Sequence, residues 1–352
     1  MTEIFSIFLH TISLLILSCF PCKIFTFIKD KNLYMPASVV TLSFILLVLS
    51  FFNVELQYVE FILWIIIIIN LFYLIKDKNY LLFVNVRYLF FYAVFLSLSF
   101  DLAVNLKLGW DAQNYWIIKS LNFIHGGTVQ DLQNLPRPDY PYLGSYIWAV
   151  FSKLSILDYE YFGRIFYIYL FTLSAFVISN YFNVKDFYKI IIFLLLILIL
   201  NNNYISSGFQ EILVFSYAVF LTCFFINFQK TFKNNTKMLF LLMMFFLIFW
   251  IKNEALIFSL LFFISIVIFY PKKDILIFSS LFFLLIILRI FLFNLFGLNL
   301  DLQSGNYESF LIKDIIQFIS VERILIILKY FIIASFKIPI IVFIFLAVYL
   351  NF

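Results

Sequence analysis

Long apolar runs, separated by short polar segments, recur along almost the whole 352-residue chain. A membrane-spanning helix needs about 20 mostly apolar residues at a rise of about 1.5 Å per residue. Hydrophobic residues make up 65% of the chain and charged residues only 12%, whereas a soluble domain is about half apolar and a quarter charged. The sequence therefore predicts an integral membrane protein with many spans and excludes a soluble globular or a disordered chain.

The apolar runs predict an all-α polytopic membrane protein with about 11 transmembrane helices. The predicted spans are residues 4–21, 37–52, 58–75, 86–104, 162–183, 188–200, 209–228, 238–251, 255–270, 275–296 and 323–350. Strand-length segments of alternating polarity are lacking, so an outer-membrane barrel is not predicted. We divide the chain into N-terminal transmembrane helices over 1–85 and a main transmembrane domain over 86–352, which includes a long loop at 105–161.

Lysine and arginine are unevenly distributed between the two sets of alternating loops. One set comprises 23–36, 76–87, 184–189, 229–237 and 271–274. It holds 13 basic residues in 45 positions, against 8 in 103 for the other set. Because cytoplasmic loops are enriched in Lys and Arg, the N-terminus is predicted outside and the C-terminus inside. The polar segments that then share the external side are 105–161, 201–211, 252–254 and 297–322.

The most informative polar stretch follows the fourth predicted span and contains Gly109-Trp110-Asp111. From Ala112 to Ile124 polar and aromatic residues recur at helical spacing. This pattern predicts a helix that lies at the membrane surface, where Trp and Tyr are enriched. Two interpretations of Asp111 stay open: a functional carboxylate near the membrane surface, or an N-cap of this helix, a role that Asp fills well.

Three prolines within six residues, Pro136, Pro138 and Pro141, predict an extended and stiff connection further along the same loop. Each proline ring fixes its own φ and restricts the residue before it. The aromatic stretch 143–157 predicts a second surface-lying helix, which would form a lid over an external cavity together with the first. An ordinary structured loop is the alternative, although ordered loops of this length usually have a function.

Two shorter segments place further charges on the same predicted side. Glu211 begins a predicted span, where a carboxylate either interacts with the helix dipole or belongs to a site. Lys252-Asn253-Glu254 interrupts an apolar block, and it is either a tight turn between spans or a functional pair of charges at membrane depth. Arg289 lies inside an apolar run, where it either snorkels to the interface or pairs with a carboxylate.

Four motif segments, in this order and on one face, resemble the motif series of bacterial GT-C membrane glycosyltransferases. The residues that carry the resemblance are Gly109-Trp110-Asp111 with Tyr115-Trp116 and Lys119, then Pro138-Asp139-Tyr140-Pro141, then Ser207-Gly208-Phe209-Gln210-Glu211, and then Lys252-Asn253-Glu254. The nearest group is glycosyltransferase family 39, the protein mannosyltransferase-like and RgtA/B/C/D-like enzymes. The resemblance covers the chain from about Val86 to Tyr270.

The resemblance implies a GT-C-like fold over 86–352 and a function in sugar transfer. The sugar would pass from a polyprenyl-phosphate donor, with inversion, to a lipid, glycan or protein acceptor on the extracytoplasmic face of a bacterial inner membrane. Asp111 matches the essential aspartate of the family's first external loop and is the expected catalytic base. The expected substrate-binding residues are Tyr115, Lys119, Arg137, Asp139, Tyr140, Gln210, Glu211, Lys252, Asn253 and Glu254.

The residue types fit this chemistry. Transfer from a lipid phosphate needs a base for the acceptor hydroxyl and positive charge for the departing phosphate, for which we predict Lys119, Arg137 and Lys252. No cofactor is predicted with certainty, and a divalent metal held by Glu211 and Glu254 stays open. Scattered basic residues do not predict nucleic acid as a partner.

Two other functions stay open. A transporter or flippase of lipid-linked saccharides tends to show repeated halves and charges near the membrane midplane, whereas this chain shows neither clearly. An O-antigen polymerase or ligase usually carries its large loop late in the chain, whereas here the large loop comes early and is led by Asp111.

Overall fold

The computed structural model describes residues 2–20, 22–28, 30–76, 85–201, 203–228, 235–269, 272–298 and Lys329. Over these residues the chain is helical and contains no strand, which confirms the all-α prediction. The predicted span 323–350, apart from Lys329, and the loop 297–322 beyond Leu298 lie outside the described residues.

The α-helices, in chain order, are α1 (Thr2–Leu17), α2 (Tyr34–Phe51), α3 (Leu56–Lys76), α4 (Val86–Val104), α5 (Ile117–Ile124), α6 (Leu143–Lys153), α7 (Tyr161–Tyr181), α8 (Asp186–Leu200), α9 (Asn203–Ser206), α10 (Glu211–Phe228), α11 (Asn235–Phe249), α12 (Ala255–Phe269) and α13 (Lys272–Leu295). A π-helical segment, Ala112–Trp116, leads directly into α5. The predicted helix over Ala112 to Ile124 is therefore confirmed.

Six helical segments of the described chain are long and apolar enough to cross a membrane. They are Lys31–Phe51, Leu56–Lys76, Val86–Val104, Tyr161–Tyr181, Glu211–Phe228 and Ile275–Leu295. Four other predicted spans are the helices α1, α8, α11 and α12, of 15 or 16 residues each. A helix of that length extends only about 22–24 Å, less than the roughly 30 Å hydrocarbon core. The structure supports a multi-pass membrane protein, but the number eleven is not confirmed.

Helix α7 lies at the centre of the bundle. Almost all of its 21 residues are buried, as expected for a helix that is apolar on every side. It packs against α4, α6, α8 and α10. Phe166 stacks on Phe151 of α6 with 4.2 Å between ring centres, and Tyr169 contacts Phe95 of α4 at 5.2 Å. Helix α7 is therefore the element against which the neighbouring helices pack.

The connecting segments meet at the end of the bundle where α7 begins, which we call the site end. The backbone N–H of Leu143 donates to the carbonyl of Trp250 at 3.0 Å, and the N–H of Gly109 donates to the carbonyl of Ser207 at 2.9 Å. These bonds confirm that three of the predicted polar segments share one end of the bundle: 105–161, 201–211 and 252–254. The membrane side that this end faces stays a prediction.

Helix α6 differs from the surface-lying helix that the sequence predicts. Every residue from Leu143 to Ser152 is buried, and the helix packs between α5 and α7. The Trp148 indole N–H donates to the carbonyl of Glu160 at 2.8 Å. The aromatic residues of this stretch pack on α5 and α7 rather than on lipid, so α5 and α6 form a packed layer and not a lid over a cavity.

Candidate functional site

Two glycines let the first and third motif segments (109–119 and 207–211) cross at close range. A Cβ at Gly109 would overlap the ring of Phe209. Gly208 has φ +79°, and a Cβ there would lie 2.8 Å from the Trp148 ring. Glycine adopts positive φ at little cost and leaves room for a neighbouring chain. The sequence pattern at these two positions therefore brings Asp111 towards Glu211.

Asp111 is placed by its backbone rather than by contacts of its side chain. Its φ of −62° and ψ of −36° are helical, and its carboxylate makes no capping hydrogen bond. Within the described part of the chain, no hydrogen bond or salt bridge involves this carboxylate. The N-cap interpretation is therefore not supported, and the carboxylate is available to a ligand.

The charge of Lys252 connects Asp111 with the two glutamates. The Lys252 ammonium donates to Glu211 Oε1 at 2.5 Å. Burial lowers the pKa of Lys252, but the bond to Glu211 and the negative charges of Glu211, Glu254 and Asp111 more than offset it, so this pKa lies above its ordinary value. These four residues, Asp111, Glu211, Lys252 and Glu254, form what we call the carboxylate–lysine cluster.

An apolar cleft begins at the cluster and runs between α10 and α12, with a volume of about 810 Å³. Glu211, Lys252 and Glu254 lie at its mouth. The other lining residues are almost all apolar or small, namely Val214, Phe215, Ala218 and Leu221 of α10, Ile248 of α11, and Ala255, Phe258, Ser259, Leu261, Phe262 and Ser265 of α12. Its volume is typical of sites that enclose a small-molecule ligand.

Aromatic contacts join the two walls about one turn beyond the last α10 lining residue, Leu221. The ring of Phe225 lies 5.9 Å from the ring of Phe262, which in turn lies 6.1 Å from Phe245 of α11. The cleft is thus charged at one end and bounded by packed rings at the other. This polarity suits an amphiphile whose polar group stays at the site end.

The proline-rich second motif segment forms a tight turn, not the extended connection that the sequence predicts. Arg137 has φ +55°, and the N–H of Tyr140 donates to the carbonyl of Arg137 at 3.1 Å. The reason is Lys119, which is fully buried and whose ammonium donates to the carbonyls of Arg137 at 2.8 Å and Tyr140 at 2.7 Å. Burial lowers the pKa of Lys119 to about 7. Lys119 holds this turn, a position that does not favour the predicted contact with phosphate.

Tyr140 is the centre of an aromatic wall beside the cluster. Its ring lies 5.6 Å from Tyr115, 5.5 Å from Trp116 and 4.4 Å from the Arg137 guanidinium carbon. Burial raises the pKa of Tyr140, and the negative charge of Glu254 also acts on it, which places the wall near the cluster. Aromatic faces of this kind commonly contact the apolar side of a bound ligand.

Asp139 is the carboxylate of the second segment, and its side chain is largely buried. Its Oδ1 lies 3.4 Å from Arg137 Nε. Burial raises the pKa of Asp139, although the charges of Arg137 and Lys119 act in the opposite direction. Asp139 therefore interacts with Arg137 and Lys119 rather than with the carboxylate–lysine cluster.

Asn253 fixes the position of the fourth motif segment. Its amide nitrogen donates to the carbonyl of Asp139 at 3.1 Å, and its Oδ1 accepts from Arg289 Nη2 at 2.5 Å. Arg289 is only 7% exposed, and its guanidinium lies 4.8 Å from the ring of Phe293. These contacts tie the turn that carries Lys252 to α13 and to the second segment.

Gln210 does not line the cleft. It is fully buried, and its amide nitrogen donates to the Tyr167 hydroxyl of α7 at 3.0 Å. The contact of Gln210 with substrate stays a prediction, and the buried position of this residue does not favour it. The neighbouring Glu211 lies at the cleft mouth.

Sequence reasoning missed Arg164, which contacts the backbone just before the first and third motif segments. It is fully buried and donates to both carboxylate oxygens of Glu160, at 3.2 and 2.5 Å. It also donates to the carbonyls of Lys107 at 3.2 Å and Ser206 at 2.8 Å. The available signal was an acidic and a basic residue four apart at the start of an apolar run, a spacing that brings them together on a helix.

No divalent-metal site is evident in the described part of the chain, where no group of three or more His, Cys, Asp and Glu side chains could hold a metal. The negative charges of the three carboxylates in the cluster act instead on the Lys252 ammonium. No family model matches the chain, and no curated protein or solved structure matches it either.

Proposed function

We propose that this protein is a membrane glycosyltransferase that moves a sugar from a polyprenyl-phosphate donor to a lipid, glycan or protein acceptor. The observation that carries the proposal is the convergence of Glu211, Glu254 and Lys252 on an apolar cleft, where the negative charge of Asp111 also acts on Lys252. Three segments far apart in the chain supply these residues. Such a convergence of charged groups beside an apolar ligand site is typical of an active site.

The cleft and Lys252 bind the donor in this proposal. One isoprenoid chain lies between α10 and α12, where the walls are apolar. Its phosphate exchanges with Glu211 as the partner of the Lys252 ammonium. A charge-assisted contact of this kind stabilises the negative charge that grows on the leaving phosphate.

Asp111 acts as the base. Its carboxylate takes the proton of the acceptor hydroxyl while the acceptor oxygen forms a bond to the anomeric carbon of the sugar. The bond from that carbon to the phosphate oxygen breaks, and the phosphate leaves with the electron pair. A single displacement inverts the anomeric centre. General base catalysis of this type contributes roughly 10²–10⁴-fold to a rate.

A transfer assay separates this function from a flippase of lipid-linked saccharides. Purified protein in proteoliposomes receives a radiolabelled polyprenyl-phosphate sugar and a membrane extract that supplies acceptors. The proposal predicts label in a new covalent product, released polyprenyl phosphate, and loss of both in Lys252→Met. Movement of intact donor across the bilayer without a new product contradicts it and supports the flippase.

A further inference from the structure

The helix that carries Asp111 changes its hydrogen-bond pattern directly after this residue. The backbone N–H of Gln113 donates to the carbonyl of Gly109 at 2.9 Å, four residues earlier, as in an α-helix. The N–H of Ile117 donates instead to the carbonyl of Ala112, five residues earlier, as in a π-helix. Single π-turns within α-helices are rare, and they occur frequently at functional sites.

This π-turn decides which side of the helix Asp111 faces. Asp111 lies five residues before Trp116. In an α-helix, residues five apart point about 140° away from each other around the axis, whereas a turn closed over five residues places them on nearly the same side. Trp116 is buried and stacks on Tyr140, with 5.5 Å between ring centres. The π-turn therefore brings Asp111 to the side of the aromatic wall, from which its negative charge acts on Lys252.

Asn114 lies within the π-turn and bonds to the backbone next to Asp111. Its side-chain nitrogen Nδ2 donates to the carbonyl of Trp110 at 2.8 Å. In a regular α-helix this carbonyl accepts from the backbone N–H of residue 114. A side-chain amide that donates to the same carbonyl competes with the α-helical bond, and such side chains are a common cause of local departures from an α-helix. The bond therefore favours the wider turn and fixes the peptide group between Trp110 and Asp111.

We propose that Asn114 is a positioning residue for the catalytic base, because its amide holds the π-turn in which Asp111 faces the aromatic wall beside the carboxylate–lysine cluster. This role rests on the proposed function, since Asn114 acts through Asp111 as the base. The neighbouring Gln113 makes a comparable bond, from its side-chain amide to the carbonyl of Leu108 at 2.9 Å. That carbonyl precedes the π-turn, so Gln113 provides a matched control.

Steady-state sugar transfer by the full-length protein in proteoliposomes, with membrane extract as the source of acceptors, tests this role. Asn114→Leu keeps the size of the side chain and removes the donor, and Asn114→Ala also lacks the donor. In both variants kcat should fall about three- to tenfold, the factor that one hydrogen bond commonly contributes, while KM for the polyprenyl-phosphate sugar stays within about twofold. Gln113→Leu should stay within about twofold in both constants.

A conservative variant should rescue the rate. Asn114→Thr restores a donor, since a Thr hydroxyl donates to the carbonyl four residues earlier, as Thr222 does to Ala218 at 2.8 Å. We expect Asn114→Thr to retain at least about half of the wild-type kcat. A kcat for Asn114→Thr as low as that of Asn114→Leu would contradict the role of the hydrogen bond.

The Asp111→Asn background separates positioning of the base from a merely structural role. If Asn114 acts through Asp111, adding Asn114→Leu to Asp111→Asn lowers the residual rate by less than about twofold, because the two residues act as a unit. An equal loss in both backgrounds overturns the positioning role, as does a wild-type kcat in Asn114→Leu, and the proposed function stands in both cases. Absence of transfer by the wild-type protein overturns the proposed function and the positioning role together.

Discussion

Two buried arginines support the site, and their surroundings differ. Arg164 at the start of α7 is fully buried and donates to Glu160 and to two backbone carbonyls. Arg289 in α13 is 7% exposed and, within the described residues, has a single polar partner, Asn253, and a single ring contact, Phe293. Arg164 therefore joins several parts of the structure through hydrogen bonds, whereas Arg289 is a buried cation with few partners among the described residues.

The same contrast extends to the helices that carry them. In the membrane-spanning part of α7, 94% of the residues are buried, whereas in that of α13 only 17% are buried. The side of the site near α7 carries Asp111 and Glu211 on segments that Arg164 fixes. The opposite side carries Lys252 and Glu254 on a turn that Asn253 ties to Asp139 and to Arg289. We infer that the side near α7 is the firmer frame of the two.

Loss of Arg164 should have the largest effect on stability. Arg164→Met leaves Glu160 and two carbonyls without their donor, and removal of one partner from a buried ion pair costs about 3–5 kcal/mol. The measurement is the free energy of unfolding of the purified protein in detergent, followed by tryptophan fluorescence.

A milder variant keeps this prediction testable if Arg164→Met does not fold. Glu160→Gln preserves the shape of the partner and removes its charge, and we expect a loss of about 1–3 kcal/mol. Exposed Asp158→Asn is the control, since its carboxylate lies outside this network. A change below about 0.5 kcal/mol in Glu160→Gln would show that the frame does not depend on this pair.

Lys119 should make stability depend on pH. Its pKa is about 7 in the folded protein and 10.5 in the unfolded chain. Between these values the unfolded chain binds more protons, so the free energy of unfolding rises with pH by about 1.4 kcal/mol per pH unit. This contribution disappears in Lys119→Met. Urea unfolding at pH 7.5 and 9.5 should therefore show that the free energy of unfolding rises by about 2–3 kcal/mol more in the wild-type protein than in Lys119→Met. An equal rise in both proteins would contradict a buried lysine that loses its proton.

Much of the fold could be predicted from the sequence, because helices that cross lipid must be long and apolar. The common end of three polar segments also followed from the distribution of Lys and Arg. The position of α6 could not be predicted, because an aromatic amphipathic stretch packs equally well on lipid or on another helix. The turn at Arg137 escaped prediction too, since it depends on hydrogen bonds from Lys119, which lies 18 residues earlier.

The candidate site was predicted in part. The charges of the third and fourth segments do meet, but the pairing of Lys252 with Glu211 rather than Glu254 is a tertiary contact without a local signal. Gln210 and Lys119 are polar residues whose burial depends on the packing of α7 and of the second segment. Arg164 pairs with Glu160, but its other two partners are backbone carbonyls, which leave no signal in the sequence.

Arg289 should matter less for stability than Arg164, which sharpens the contrast between the two sides. Arg289→Met removes one hydrogen bond and also relieves a buried cation that lacks a carboxylate partner in the described chain. The expected change lies between about 0 and 1.5 kcal/mol. Thermal unfolding of both arginine variants in the same detergent provides the comparison, and a larger loss for Arg289→Met would reverse it.

Lys252 should have the smallest effect on stability, because its partner Glu211 is 48% exposed. Lys252→Met is expected to change the free energy of unfolding by less than about 1 kcal/mol. Sugar transfer should nevertheless fall by at least about 100-fold, since the departing phosphate loses its cation. Intact transfer in a stably folded Lys252→Met protein would remove this residue from the mechanism.

Sugar transfer by Asp111→Asn tests the central claim most directly. Membranes that contain equal amounts of wild-type or variant protein receive radiolabelled polyprenyl-phosphate sugar, and label in lipid and glycan products is counted. Asp101→Asn is the matched control, because this exposed carboxylate at the end of α4 bonds only Asn105 among the described residues. The account predicts a loss of at least about 100-fold for Asp111→Asn and less than a twofold change for Asp101→Asn. A wild-type rate in Asp111→Asn would contradict it.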